Sequence, residues 1–471
     1  MAKFAYYFSA YRVKKENEEG SQSFKLLADA LAKYGTFELV YRYSIPFLRQ
    51  SRFSSMKKYY LYDHLPKLTQ EQVSLLESEY CIPFSTVRMM TVVSRVRYPD
   101  TSNLPTDMEF AQITASWVKF FKEEKLDVFI CGLMDDYAGI IGMEVARKMG
   151  VKTVVLFSGG VYSGEYLLCD INYLPAFYRK YSKKELDAAS IKATEGLTAT
   201  KVMNATISKV FSKWFDLGAV WHMPSKIGAA IASLYGYYFE IPKIERKMWL
   251  STFELIMRQT KYFIRSQISK LYFKEGPVAG EKFVFFPLHF TDDAAIVTAV
   301  PFLDQINAAE ELARSIPAGW KLYIKAHPHW KCADLKLRDM GRLRAIPNAR
   351  LIKYDVGAKD LIRASRYTVV INSTVGYECL ALKKKVFTLG NFYPGDAIPH
   401  LSNPREIIPL SNHKFDWDKI SEFMGNVYLH GIRCPPELFA YGSLNEEIAK
   451  QLAASIDEFR KSDMKLGPRV W

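Results

Sequence analysis

Polar residues follow four apolar segments in the second half of the chain, each at the point where the segment ends. His289 follows FVFFPL (283–288), His327 stands two residues after WKLYIK, Asn372 follows YTVVI, and Gly390 follows KVFTL. The segments have the length and content of buried β-strands. Parallel strands end at one edge of a sheet, where α/β proteins bind ligands. We therefore expect these residues to line one binding site.

The segment NSTVGYE (372–378) has the residue types of an anion site. Ser373 and Thr374 stand where the strand gives way to a helix, so their hydroxyls would lie beside the free N–H groups of the helix start. Gly376 would let a ligand approach the backbone closely. A plain helix cap is the alternative, because Ser and Thr are favoured at that position. Two hydroxyls and a glycine favour a phosphate.

The segment KAHPHW (325–330) supplies Lys325, His327 and His329. A histidine can donate a hydrogen bond to a phosphate oxygen and can be charged near neutral pH. Neither a carboxylate nor a third histidine stands nearby in the sequence, so we expect no metal site. A structural hydrogen bond is the alternative reading for either histidine alone.

Carboxylates accompany the remaining candidates. Asp292 and Asp293 follow His289, which predicts acid–base or substrate-orienting work, although acids are also common in a first helical turn. In the first half of the chain, Asp135 and Asp136 follow the apolar segment DVFICG. Glu165 follows KTVVLFSGG. Each of these three is a candidate general base, and helix capping explains Asp135 or Asp136 equally well.

The elements around these residues predict two α/β domains. Apolar segments alternate with helical patterns in both halves, which is typical of doubly wound parallel sheets facing a common cleft. The turn-rich segment KEGPVAGEKF separates the halves. We predict an N-terminal domain over 1–273, a C-terminal domain over 274–445, and a closing helix over 446–471 that is capped by Asn445.

Composition limits the function further. The net charge is +14 and the pI is near 9.2, which favours anionic partners. The basic runs are short and there is no arginine-rich tail, so nucleic acid is not predicted. Six scattered cysteines without a CxxC pair are typical of a reducing compartment. We expect a cytoplasmic protein that can rest on a membrane through basic and aromatic residues.

The motifs between 283 and 398 together resemble a known family. The strand ending in PLH, the K-x-H-P segment, the ST-x-G-x-E turn and the following V-x-x-L-G-x-x-x-Y resemble capsular and surface polysaccharide biosynthesis proteins, including the Kdo transferases of bacterial capsule assembly. The chain differs from many relatives at Thr291, Asp292 and Asp293, and has Ala326 where glutamate is common. Looser forms of the H-P and S-T elements occur in sialyltransferases and polyol-phosphate transferases.

The resemblance implies a GT-B glycosyltransferase. Its C-terminal domain would bind a nucleotide-activated sugar, CMP-linked in the Kdo branch, with no cofactor and no metal. His327, Ser373 and Thr374 would bind the donor phosphate, and His289 would lie beside the donor. Glu378 matches the family's glutamate, which would hold a ribose or anchor its helix.

Several points stay open at this stage. The acceptor would be a glycan or glycolipid, and a carboxylate of the N-terminal domain would activate it. A transferase of glycerol or polyol phosphate from a CDP-activated donor is one alternative. A non-catalytic nucleotide- or glycan-binding assembly factor is the other. The donor sugar, and retention against inversion, are not predicted.

Overall fold

The structure is a computed structural model. It describes residues 1–8, 18–41, 57–93, 104–132, 137–158, 165–199, 252–289, 304–327, 334–390, 397–407, 413–433 and 444–467.

The described residues form strands and helices in alternation through most of the chain. The strands are β1 (Ala2–Phe8), β2 (Gly35–Tyr41), β3 (Lys57–Tyr60), β4 (Val128–Cys131), β5 (Lys152–Ser158), β6 (Glu165–Cys169), β7 (Phe283–Pro287), β8 (Lys321–Lys325), β9 (Ala349–Ile352), β10 (Tyr367–Val370), β11 (Val386–Thr388) and β12 (Ile432–Arg433). The α-helices are α1 (Glu18–Leu31), α2 (Gln70–Tyr80), α3 (Phe84–Val93), α4 (Asp107–Glu124), α5 (Tyr137–Lys148), α6 (Lys183–Ala199), α7 (Thr252–Tyr272), α8 (Gln305–Ser315), α9 (Leu337–Arg344), α10 (Ala358–Ala364), α11 (Val375–Ala381), α12 (Trp417–His430) and α13 (Glu446–Lys461).

The first sheet contains seven strands in the order β12-β6-β5-β4-β1-β2-β3. Strands β1 to β5 pair in parallel, while β6 runs antiparallel to β5 and β12 antiparallel to β6. Strand β4 is buried along its whole length because helices cover both faces of the sheet. The order reverses between β1 and β4, which is the point where doubly wound sheets open a ligand crevice.

The second sheet contains five parallel strands in the order β11-β10-β7-β8-β9. The order reverses between β7 and β10. Because β7 is followed by His289 and β10 by Asn372, two of the predicted site residues flank this reversal. The predicted two-domain, GT-B-like α/β fold is confirmed by these two sheets.

The last part of the chain returns to the first sheet. Helix α12 packs on α6, and β12 then pairs with β6. Helix α13 begins at the predicted cap, where the Asn445 side chain accepts a hydrogen bond from Ile448 N at 2.8 Å. Its apolar face is buried against α1 and shares a core with Phe4 and Tyr6 of β1. Residues 432–433 and α13 therefore complete the domain that holds the first sheet.

Every helix within the described ranges is either too short or too polar to span a lipid bilayer.

Candidate functional site

His289 is held in place through its backbone. Leu288 N donates to Lys325 O at 2.8 Å, which extends the pairing of β7 and β8 past the end of β7. The side-chain amide of Gln305, the first residue of α8, then accepts from His289 N at 3.0 Å and donates to His289 O at 3.2 Å. Both residues are buried. The start of α8 therefore fixes the chain at the end of β7.

The imidazole of His289 connects two strand ends. Asn372 N donates a hydrogen bond to His289 Nε2 at 3.3 Å. Because Nε2 accepts here, the neutral ring carries its proton on Nδ1. The structure thus brings His289 and Asn372 together at the point where the strand order reverses, and the ring lies inside the protein with 7% of its surface exposed.

Gly390 is packed directly against Asn372. A Cβ at Gly390 would lie 2.5 Å from Asn372 Cγ, closer than any real contact, so only glycine leaves room for the amide. Thr388, at the end of β11, links the residues that follow β10 to those that follow β11. Its hydroxyl donates to Ile371 O at 2.6 Å and accepts from Gly390 N at 3.1 Å. The ends of β10 and β11 are therefore bonded to each other through one buried hydroxyl.

The two hydroxyls of the predicted anion site differ in their surroundings. Ser373 Oγ accepts from Val375 N at 3.3 Å, so it caps the start of α11, which is the alternative that the sequence allows. Thr374 is the N-cap residue of α11 by position but makes no side-chain cap bond, and its side chain is exposed. Gly376 is buried in the first turn. Thr374 is the more accessible hydroxyl of the pair.

Lys325 and His327 also differ in exposure. Lys325 is buried at the end of β8, and its ammonium group donates to Tyr354 O at 3.0 Å. His327, two residues further, is exposed. The structure therefore presents His327 to solvent and keeps His289 inside. His329, Asp292 and Asp293 lie outside the described residues.

Glu378 lies where the second sheet's domain meets α6. Burial raises the pKa of its carboxyl group, and the nearby Lys359 partly offsets the rise. Lys359 itself donates to Leu197 O at 2.6 Å and to Thr198 O at 3.1 Å, at the C-terminal end of α6. An ammonium group at those carbonyls is favoured by the helix dipole. This contact joins α10 to the C-terminal end of α6.

The candidate bases of the first half are placed as follows. Asp135 and Asp136 lie outside the described residues. Glu165 does not end the preceding strand, as its sequence position suggested, but begins β6, because the chain reverses after β5 and EYLLC is buried throughout. Its side chain is fully buried, with Arg433 of β12 at 3.8 Å. A general base must reach the acceptor hydroxyl, and in this position Glu165 is enclosed by protein.

No group of three or more His, Cys, Asp or Glu side chains in the described part of the chain is arranged to hold a metal ion. The expectation of a metal-independent reaction stays a prediction.

Gln305 and Thr388 were not singled out from the sequence. Each lies within an ordinary pattern, a polar residue near a helix start and a β-branched residue in a strand. Gln305 follows Asp304, whose side chain accepts from Ile306 N at 2.8 Å as the N-cap. A recognised cap at Asp304 would have marked Gln305 as the first helical residue. No local signal marks Thr388, because its partners belong to another strand and to the following loop.

The comparisons with known proteins agree with the resemblance seen in the motifs. Residues 232–414 match the sequence model of a family described as capsule polysaccharide biosynthesis protein. The match confirms that resemblance over less than half of the 471 residues, in a segment that contains each candidate from His289 to Gly390. None of the curated proteins matches the chain.

Similar solved structures include two of KpsC from Thermosulfurimonas dismutans. Its beta Kdo 2,7 transferase is 13% identical over 73% of this chain and 90% of that chain, with a TM-score of 0.35. Its beta Kdo 2,4 transferase is 13% identical over 70% and 88%, with a TM-score of 0.32. The UDP-GlcNAc 2-epimerase from Neisseria meningitidis bound to UDP-GlcNAc is 12% identical over 97% and 100%, with a TM-score of 0.28. Likeness at this level gives no information about activity.

Proposed function

We propose that this protein is a glycosyltransferase of surface polysaccharide biosynthesis that takes a sugar from a nucleotide-activated donor. The observation that carries the proposal is the meeting of His289 and Asn372 where the strand order reverses, inside the segment that matches the capsule polysaccharide family. Doubly wound sheets bind nucleotides at such a reversal. The acceptor would be a glycan or glycolipid on the cytoplasmic side of the membrane.

The donor phosphate would be bound by His327 and Thr374. Both are exposed after strands of the second sheet, β8 and β10, which lie on either side of β7. Both can donate a hydrogen bond to an oxygen that becomes more negative as the sugar leaves. Ser373 and Gly376 would shape the backbone that receives the phosphate. Lys325 would add positive charge from its buried position at the end of β8. A CMP-linked, Kdo-like donor is the choice favoured by the motif resemblance.

His289 would act by position. Since its Nε2 accepts from Asn372 N, a neutral ring fixes the turn that leads to the two hydroxyls. Asn372, Gly390 and Glu378 would then contact or orient the nucleoside. For the acceptor, Asp135 or Asp136 would be the base, because both follow β4 beside the reversal in the first sheet.

The test compares His327→Ala with His413→Ala, an exposed histidine outside the candidate site. Because His327 is exposed, its removal should leave the thermal unfolding of the free protein unchanged. It should reduce transfer by about 100-fold or more, the loss typical of one transition-state donor. The His413 variant should keep full activity. Full activity of His327→Ala would refute the phosphate role.

Nucleotide screening identifies the class of donor. CMP, CDP, UDP and GDP are each added during thermal unfolding, because a ligand that binds only the folded state raises its stability. Stabilisation by CMP and release of CMP from an activated sugar agree with the proposal. A transferred unit that contains phosphorus would indicate a polyol-phosphate transferase instead. Nucleotide binding without any transfer to the acceptors tested would indicate an assembly factor.

A further inference from the structure

Helix α7 exposes a stripe of apolar side chains to solvent. Ile264 is 50% exposed and Leu271 is 65% exposed. These two residues are seven apart, and Ile268 lies between them on the same side of the helix, partly exposed. Large apolar side chains that recur on one exposed helix face indicate a surface that is covered in use.

Positively charged side chains flank the stripe on its own helix. From Leu255 to Lys274 the sequence contains five Lys or Arg residues and no Asp or Glu. Lys261 and Lys270 are exposed, and Arg265 is partly so. Lys261 and Arg265 lie along one flank of the stripe at helical spacing. On the other flank Lys270 lies beyond Gln267, and its ammonium group donates to Gln267 Oε1 at 2.7 Å.

The helix cannot turn this stripe inward, because its opposite face is already used. Tyr262, Ser269 and Phe273 are buried, and Phe273 belongs to the core beneath the second sheet. Arg344 of α9 also stacks over the Tyr272 ring, with its guanidinium carbon 5.7 Å from the ring centroid. The stripe is thus a fixed outer face, which we call the α7 outer face (Lys261, Ile264, Arg265, Ile268, Lys270 and Leu271).

We infer that the α7 outer face binds the surface of an anionic lipid bilayer. An amphipathic helix with apolar side chains between cations lies in the plane of a membrane, with its apolar side in the acyl boundary and its cations among the headgroups. The net charge of +14 adds a long-range attraction to the same surface. This inference goes beyond the proposed glycosyl transfer and does not depend on it.

A second copy of the chain is a poorer occupant for this face. A symmetric dimer places the same patch of both copies together, so Lys261, Arg265 and Lys270 would oppose their own equivalents. Like charges brought together at an interface cost binding energy. Anionic headgroups neutralise the same cations, which makes the bilayer the complementary partner.

The test is flotation of the full-length protein with vesicles. One set contains phosphatidylcholine alone, and the other contains equal parts of phosphatidylcholine and phosphatidylglycerol. We expect binding to the second set only, and weaker binding at high salt, since screening shortens the reach of the charges. Each lysine near an anionic surface contributes about fivefold in partitioning. Lys261→Ala combined with Lys270→Ala should therefore lower binding by roughly 25-fold.

The apolar stripe is tested by Ile264→Glu combined with Leu271→Glu, which should abolish flotation. The matched control is Leu75→Glu. Leu75 is also exposed, at 60%, but it lies on α2 among Glu71, Glu77 and Glu79. Both changes affect solvent-facing side chains, so unchanged thermal unfolding verifies that each variant is folded.

Three outcomes would overturn the inference. In the first, anionic vesicles fail to bind the wild-type protein. In the second, the Ile264/Leu271 variant floats as well as Leu75→Glu. In the third, light scattering without lipid shows a dimer that the Ile264/Leu271 variant abolishes, which would assign the face to a second copy. A variant that floats normally yet lacks transfer would concern the proposed function alone.

Discussion

The buried hydroxyl of Thr388 should hold the candidate site together, and Thr388→Val tests this directly. Valine has nearly the shape of threonine but lacks the hydroxyl. Its substitution leaves Ile371 O without the donor at 2.6 Å and Gly390 N without the acceptor at 3.1 Å. Thr388 and Ile371 are fully buried, so water does not replace the lost partners.

The magnitude follows from the two stranded groups. A buried donor or acceptor that loses its partner costs about 1–3 kcal/mol. The extra methyl group of valine returns about 1 kcal/mol through burial. We therefore expect Thr388→Val to lower the free energy of unfolding by about 1–5 kcal/mol, with a central value of about 3 kcal/mol. Thr388→Ser keeps the hydroxyl and loses one methyl group, which should cost about 1 kcal/mol.

Urea unfolding, followed with a probe that reports on the second domain, measures the free energy of unfolding of both variants. Hydrogen exchange of the amide of Gly390 gives the local reading, because this amide loses its acceptor in the valine variant only. Its exchange should accelerate in Thr388→Val and stay close to wild type in Thr388→Ser. The reasoning is refuted if the valine variant is as stable as the serine variant, since the hydroxyl would then add no stability to the backbone pairing of β10 and β11.

Two further predictions concern packing and pH. Gly390→Ala should displace the Asn372 side chain, with a cost of about 1–3 kcal/mol from overpacking and a loss of nucleotide-dependent stabilisation; a variant that binds nucleotide like wild type would contradict this. Burial lowers the pKa of His430 from 6.5 to about 4, so the unfolded chain takes up a proton at this residue before the folded chain does, and stability should fall as the pH drops from about 6.5 towards 4. Urea midpoints at several pH values should show a shallower fall for His430→Gln, and equal slopes would count against the assignment.

The strands of both sheets were predictable because buried strands appear in the sequence as short apolar segments. Phe283–Pro287 reads as an unbroken apolar segment and is buried throughout, as a strand covered on both faces requires. The predicted ends of the strands were less exact. The apolar segment YTVVI extends to Ile371, whereas the strand stops at Val370 and the residues that follow turn towards α11.

Contacts between distant parts of the chain were not predictable in this way. The pairing of β6 with β12 joins Glu165 to Arg433, and no local pattern announces a two-residue strand so far along the chain. For the same reason the sequence assigned Glu165 to a strand end. Residues 45–107 show no clear βα pattern in the sequence. Their described part contains β3, α2 and α3, which interrupt the alternation of strands and helices on which the prediction depended.

The candidate site was likewise predictable where local pattern decides and not where packing decides. The sequence predicted which strand ends carry polar residues, because those residues interrupt apolar segments. It did not predict that His289 would be enclosed while His327 is exposed, since exposure depends on how α8 and the strand ends pack. The structure is therefore needed to tell the role of His289 from that of His327.

The return of α13 to the first sheet has a consequence for how the protein is made. Ile448, Leu452 and Phe459 of α13 fill the same core as Phe4 of β1, although more than 440 residues of sequence separate Phe4 from Ile448. During synthesis β1 leaves the ribosome long before α13. The part of the first sheet's core that α13 covers therefore stays exposed while the second domain is made and folds on its own local contacts. The domain that contains β1 is therefore completed only after the second domain has been made. Its exposed apolar face is where a chaperone would bind the growing chain.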